Sequence, residues 1–376
     1  MEQLQKFTIY GNTPEERGIM YGTKCKNLIN NILSQYKRFF NDGHVGISWD
    51  EARRESKKFI PYINEYSPEL LEEIYGIAKG SESNFEDILV LNSRSEIMTL
   101  VKKYKSDEEE IDGCSSAVVL TEASSDGHVI FGQNWDTYSW QGYGSIVLEV
   151  ISDEGPDLML LTEAGQLARY GFNQAGIALG VNSLHKTYNT EVFGVPSTFI
   201  RRKFLHQDRW VDATNTIFKA KSMIPMYYIG AFAGGDAMGF EMLNEGIMVL
   251  YPENGLIVHS NHIVHKGYSY QRESLGGTLY RNRRIERKLR PIVGSIAKED
   301  IIDSFKDHFG YPFAVCRHGD PRKKEMDRIS TLACLVIDVT EKQMWACKGT
   351  PCEGEFTEFK WTRPERAADW ENIVMW

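Results

Sequence analysis

The chain has no apolar run long enough to cross a bilayer, and its first residues, Met1-Glu-Gln-Leu-Gln-Lys-Phe7, lack the hydrophobic centre of a secretion signal. A cytoplasmic protein without a membrane partner is therefore expected. Positive charge is also in short supply: 43 Lys and Arg face 52 Asp and Glu, a net charge of −9. That balance excludes nucleic acid or an anionic membrane as a general partner, because both need a basic surface. The one cationic stretch, Arg281 to Arg290, reads as an exposed helix face. Cysteine is scarce too. The six positions, 25, 114, 316, 334, 347 and 352, match neither a zinc-finger spacing nor a disulfide framework. Cys347 and Cys352 have no second pair and no histidine close by in sequence, and Cys316-Arg-His318 reads as core packing. His259, His262 and His265 recur every third residue in a strand–loop region, which gives no coherent metal face. Gly234-Gly235 and Gly276-Gly277 form no phosphate-binding fingerprint. No metal and no cofactor are expected.

What is present is enough for a sizeable core: 376 residues, 42% hydrophobic and 12% aromatic. The first hundred residues read as helical hairpins after a short strand at Phe7–Tyr10. Thr13-Pro14-Glu15-Glu16 and Ser48-Trp-Asp-Glu51 are capping boxes, and Ser67-Pro68-Glu69 opens a further helix that Gly80 ends. Ile29, Ile32, Leu33, Tyr36 and Phe40 share one helical face, and a last helix covers roughly Phe85 to Leu100. Beyond residue 114 the pattern changes to short strands divided by Gly, Asp, Asn and Ser turns. Helical intervals fall near Pro196–Lys221, Tyr280–Leu289 and Lys298–Phe309. Strands in hairpins with helices in blocks imply sheets layered against helices. The acidic segment Lys105–Asp112 reads as exposed and mobile.

That segment runs into Asp112-Gly-Cys-Ser-Ser116, followed by Phe131-Gly-Gln-Asn-Trp-Asp136. A thiol at the start of a strand, directly after a glycine, suits nucleophilic chemistry. A cysteine thiol titrates at ~8.5 and needs a base. If the Gly113–Cys114 bond breaks, Cys114 acquires an α-amine that titrates at ~7.7–8.0. That amine can activate its own thiol, which removes the need for a catalytic histidine. A buried strand cysteine is the competing reading of the Gly-Cys pair alone.

These runs resemble the acyl-coenzyme A:isopenicillin N acyltransferase family, self-cleaving N-terminal-nucleophile hydrolases whose precursor breaks at a Gly-Cys bond. The likeness continues through Ile77-Ala-Lys-Gly80, Leu91-Asn-Ser-Arg94, Thr162-Glu-Ala-Gly165, Gly171-Phe-Asn-Gln-Ala-Gly176 and Val258-His-Ser-Asn-His262. It ends in Tyr311-Pro-Phe-Ala-Val-Cys-Arg317 and Asp327-Arg-Ile-Ser-Thr-Leu332. The resemblance implies an α+β fold, a four-layer αββα sandwich with a helical N-terminal segment. Residues 1–113 would form the smaller fragment and 114–376 the catalytic one, the two remaining associated. It implies Cys114 as nucleophile and Asp136 as the group that orients the new ammonium. It also implies Asn261 as an oxyanion donor and Arg328 as the cation paired with Asp136. Asp327 stands where the family prototype has serine, which points to a different ligand. Trp135 and Tyr138 are candidates to line the substrate pocket. The expected activity is hydrolysis of a small N-acyl amine or amide through an acyl-enzyme. The alternatives are acyl-coenzyme A-dependent N-acyl transfer and a non-catalytic binding protein of the same fold.

Overall fold

A computed structural model of the chain describes residues 3–102, 113–184, 193–268 and 277–364. The acidic segment 105–112 lies outside the described residues. The N-terminal part runs β1 (Gln5–Ile9), α1 (Pro14–Lys24), α2 (Lys26–Asn41), α3 (Trp49–Ser56), α4 (Ile60–Tyr66), α5 (Pro68–Ser81) and α6 (Phe85–Lys102). Thr13 caps α1 by accepting the Glu16 N–H, but the Glu16 carboxylate reaches back to Asn12 rather than Thr13. The second capping box forms as expected, with Ser48 and Glu51 each satisfying the other's backbone N–H. Helix α5 passes Gly80 and ends one residue later, with Glu82 in the left-handed conformation.

Helices α1 and α5 cross at backbone contact. A Cβ added at Gly18 would lie 2.2 Å from the Glu73 carbonyl oxygen, and one at Gly76 would lie 2.2 Å from that of Glu15. Only glycine permits this approach, and Gly80 of the Ile77–Gly80 run makes the same one, an added Cβ there lying 2.2 Å from the Ile19 carbonyl oxygen.

The remaining strands form two sheets. The larger contains β1 with β4 (Ser145–Val150), β5 (Leu158–Glu163), β6 (Tyr170–Asn173), β7 (Ile177–Ser183), β8 (Met226–Phe232), β9 (Asp236–Leu243) and β10 (Gly246–Leu250), in that order. The smaller has β11 (Leu256–His259), β2 (Ser115–Val119), β3 (Ile130–Tyr138), β12 (Ile329–Asp338), β13 (Gln343–Lys348) and β14 (Thr357–Phe359). All neighbours run antiparallel except β1 and β4. Helices α9 (Thr278–Leu289) and α10 (Lys298–Phe305) cover the outer face of the smaller sheet. Helices α7 (Ser197–Leu205) and α8 (Trp210–Lys219), with the N-terminal helices, cover the larger one. The result is the expected four-layer αββα sandwich.

Period-two alternation sorts the side chains between layers. Val118, Phe131, Leu335 and Ile337 face the larger sheet, whereas Ala117, Val119, Ile130 and Val336 face Ile285, Leu289, Ile301 and Phe305. Strands β6 and β14 were not expected from the sequence. Both are short, and Gly171 and Asn173 make β6 look like a turn.

The N-terminal helices are bound to the later part by buried polar contacts. Glu73 accepts from Arg202 at 2.8 Å and from Arg17 at 3.2 Å. Helix α6 is non-helical at Ser93, beside Asn92, whose amide donates to Gly165 and whose oxygen accepts from the Leu167 N–H. Tyr36 donates to Glu163, and Glu96 accepts the Ser197 N–H.

Candidate active site

Strand pairing brings the first candidates together. Ser115 pairs with Asn134 on β3, so Asp136 lies beyond the start of β2, next to Cys114 and Gly113. Cys114 is 3% exposed and Asp136 is fully buried. The Cys114 Sγ lies 3.3 Å from the Tyr170 hydroxyl and 3.9 Å from the Asp136 carbonyl oxygen. Burial, and then the neighbouring thiol, hold the Tyr170 hydroxyl protonated far above its usual range. It is therefore a donor to a Cys114 thiolate. Asp136 Oδ1 accepts from the Thr331 hydroxyl at 2.7 Å, and that hydroxyl accepts the Arg317 N–H at 3.0 Å.

Gly113 occupies a space that admits no side chain. A Cβ there would lie 2.3 Å from an Arg317 guanidinium nitrogen and 3.4 Å from Asp136 Oδ2. The scissile candidate is thus pressed between a buried cation and a buried carboxylate. Its carbonyl oxygen accepts from Arg281 Nη1 at 2.7 Å. The same nitrogen donates to the Cys114 carbonyl at 3.0 Å and to Ser115 Oγ at 3.2 Å. Arg281 Nη2 donates to Asn261 Oδ1 at 2.7 Å.

Three expectations change. Arg281 is 1% exposed, so the Arg281–Arg290 helix does not present all its cations to solvent. Arg281 shares the buried face of α9 with Ile285 and Leu289, at i, i+4, i+8 spacing. Asn261 is buried at the site, but its amide N–H groups go to Ser183 O at 2.9 Å and Ser183 Oγ at 3.2 Å. It offers its oxygen to Arg281, which takes the carbonyl-facing position expected of Asn261. Arg328 does not pair with Asp136. It points along the loop before β12, donating to Lys323 O at 3.2 Å and Pro321 O at 3.4 Å. Arg317, inside a motif noted from the sequence but given no role, is the cation at Gly113 and Asp136.

The two aromatic candidates separate. Trp135 is fully buried, edge-on to Tyr170 at 6.2 Å, with the Arg169 guanidinium 4.3 Å over its ring. Tyr138 packs into another cluster with Phe39 and Trp140. Arg169 and Arg201 are 5% and 4% exposed, and the buried Glu96 carboxylate acts on Arg201 through its charge without a direct contact. Arg169 reaches Gln166 at 3.5 Å and Arg201 reaches Ser197 at 2.8 Å. Burial, and then the charge of Arg169, disfavour the charged form of Arg201. A surface recess lined by Tyr62, Tyr66, Lys203 and Lys219 contains none of these residues, and Cys114 and Asp136 are enclosed.

A family model described as acyl-coenzyme A:6-aminopenicillanic acid acyl-transferase matches residues 122–353. That span includes Asp136, Asn261, Arg281 and Arg317 and begins after Cys114. The chain is 27% identical over 346 residues to the 40 kDa form of acyl-coenzyme A:6-aminopenicillanic-acid-acyltransferase of Emericella nidulans, covering 90% of this chain and 91% of that one. Among solved structures, it is similar to a Caenorhabditis elegans N-acylethanolamine-hydrolyzing acid amidase ortholog, with TM-score 0.44 and 14% identity over 60% of this chain and 93% of that one. It is also similar to penicillin V acylase from Agrobacterium tumefaciens, with TM-score 0.44 and 15% identity over 66% and 87% of the two chains. No helix among the described residues is long and apolar enough to cross a membrane.

Proposed function

Because this chain belongs to the acyl-coenzyme A:6-aminopenicillanic acid acyl-transferase family, we propose that it is a cysteine amidohydrolase activated by its own cleavage between Gly113 and Cys114. The observation that carries the reading is the Gly113 carbonyl oxygen, held at 2.7 Å by Arg281 next to the Cys114 thiol. In the maturation step the Cys114 sulfur attacks the Gly113 carbonyl carbon. The C–N bond breaks, the thiol proton goes to the departing α-amine, and water hydrolyses the thioester to leave a Gly113 carboxylate. Arg281 stabilises the oxyanion, and the absence of a Gly113 side chain lets Arg317 and Asp136 close on the junction.

The free α-amine of Cys114 then serves as base, with Asp136 and Arg317 orienting it. A substrate amide carbonyl takes the position vacated by Gly113, the thiol becomes acylated and an amine departs. Water releases the acyl group. The Emericella relative, an acyl-coenzyme A-dependent acyltransferase by name, favours a second acceptor, an amine acylated from acyl-coenzyme A through the same acyl-enzyme.

The substrate class follows from Arg169 and Arg201. A guanidinium cannot shed its proton, and of the nearby carboxylates only Glu96 acts on Arg201, so the two buried guanidinium groups leave an excess of positive charge that is costly. Their place beside Trp135 and Tyr170 fits a substrate bearing a carboxylate, such as an N-acyl amino acid. Mass spectrometry of the purified chain tests maturation. Two fragments, the larger beginning at Cys114, are expected, with a single chain from Cys114→Ala. An intact wild-type chain that turns over N-acyl amino acids at full rate would overturn the reading. Incubation with acyl-coenzyme A, with and without an amine, separates transfer from hydrolysis.

A further inference from the structure

Four side chains from three stretches of the chain meet beside Arg317. His308 follows α10, Cys316 and His318 flank Arg317, and Cys352 lies in the turn between β13 and β14. Their donor atoms all lie within 4.8 Å of one another. The Cys316 and Cys352 sulfurs are 3.4 Å apart. His318 Nε2 is 3.6 Å from Cys316 Sγ, 3.5 Å from Cys352 Sγ and 3.1 Å from His308 Nε2.

We propose that these residues form a Cys2His2 zinc site that holds the Arg317 loop in position. Zinc binds sulfur at ~2.3 Å and imidazole nitrogen at ~2.0–2.1 Å in a tetrahedron, whose edges are then about 3.8 Å for S–S, 3.6 Å for S–N and 3.3 Å for N–N. Each observed separation lies within a few tenths of an ångström of the matching edge. Both histidines present Nε2 to the cluster, and with all four donor atoms mutually within 4.8 Å a single cation can bridge them. Two thiols and two imidazoles are also the ligand set that suits zinc. Binding releases the two thiol protons, and two thiolates with Zn²⁺ make a neutral centre in a half-buried place. Four protein ligands leave no open position, so the role is structural.

The consequence for the active site is direct. Cys316 and His318 bracket the residue whose guanidinium abuts Gly113 and whose N–H continues through Thr331 to Asp136. Cys352 ties that loop to the turn after β13. Sequence spacing hid the site, because Cys352 is far along the chain and His308 precedes a proline-containing turn.

The test is metal analysis of the full chain, purified without chelator from zinc-supplemented culture. About one tightly held zinc per chain is expected, as for other closed four-ligand sites. Cys352→Ser and His308→Ala should lose it, whereas Cys347→Ser, a buried cysteine outside the cluster, should keep it. Exchange with Co²⁺ should give the visible spectrum of a tetrahedral thiolate complex, a readout independent of activity and obtainable on the wild-type chain if a variant fails to fold. Zinc-free protein that takes up no Co²⁺ would overturn the proposal. So would an intact mass lighter by two hydrogens with Cys316 and Cys352 disulfide-linked, or zinc content unchanged in Cys352→Ser.

Discussion

Arg281 Nη1 sits 2.7 Å from the Gly113 carbonyl oxygen, although 168 residues separate the two in the chain. If that nitrogen carries the developing oxyanion, Arg281→Ala slows fragment formation by roughly 10²–10³-fold, the range for a lost oxyanion donor. Arg281→Lys keeps the charge but loses the fork that serves Gly113 and Asn261 together, and it should recover only part of the rate. Appearance of the two fragments over time, followed by denaturing electrophoresis, reads this directly. Unchanged cleavage in Arg281→Ala would remove the residue from the step.

Asn261 and Arg328 should now behave oppositely. Asn261→Ala takes away the acceptor that aims Arg281 and should slow turnover by at least about tenfold, the loss of one hydrogen bond to a charged group. Arg328→Ala breaks contacts with two loop carbonyls and should leave kcat within about twofold, as surface changes usually do. Steady-state kinetics of the two matured variants decides between them.

Replacing Arg201 with leucine should raise KM for a carboxylate-bearing N-acyl substrate by about tenfold or more. The same change should alter KM little for the corresponding uncharged N-acyl amine. Equal effects on both substrates would mean that the buried arginines serve the fold instead.

Glu73→Gln removes the carboxylate between Arg17 and Arg202, leaving Arg202, with its fully buried side chain, without its counter-ion. Removing one member of such a buried pair costs roughly 3–5 kcal/mol. Chemical denaturation should show the loss as a lower midpoint with little change in slope.

Acid sensitivity should reside partly at Asp87. Burial alone would raise its carboxyl, but donors from Arg53 and Trp49, both at 2.6 Å, and from Lys37 at 3.0 Å hold it below its usual value. Unfolded, the group binds its proton near ~3.9. Its contribution is therefore complete above that pH and disappears as pH falls through the lower folded value. Asp87→Asn should cost about 1.5–3 kcal/mol at neutral pH and flatten the acid limb of a stability profile recorded from pH 6 to 2. A wild-type acid limb kept in full by the variant would rule the residue out.

The helical hairpins, most strands and the Gly113–Cys114–Asp136 neighbourhood were legible because local signals agreed with the fold: caps, apolar periodicity, and a turn between two pairing strands. Arg281 was obscured by its own neighbours, since Arg283, Arg284 and Arg287 make the helix look cationic all round. Tyr170 was missed with β6, a four-residue strand starting next to a glycine. The exchange of Arg328 for Arg317 has a different origin. Both precede or follow polar loop residues, and only the path of the 306–328 segment shows which guanidinium turns inward. His308, Cys316, His318 and Cys352 were illegible for the same reason, as their proximity exists only in three dimensions.

Strand β1 carries one more implication. Gln5 to Ile9 align in register with Ile146 to Val150, and Lys6 and Thr8 both engage Glu149. The opening residues of the polypeptide are thus woven into a sheet made by its middle. A chain stitched in this way acquires its shape while it is still continuous. If the proposed cut after residue 113 takes place, its parts, unfolded and mixed, should fail to reassemble, so each molecule would have a single opportunity to be made correctly.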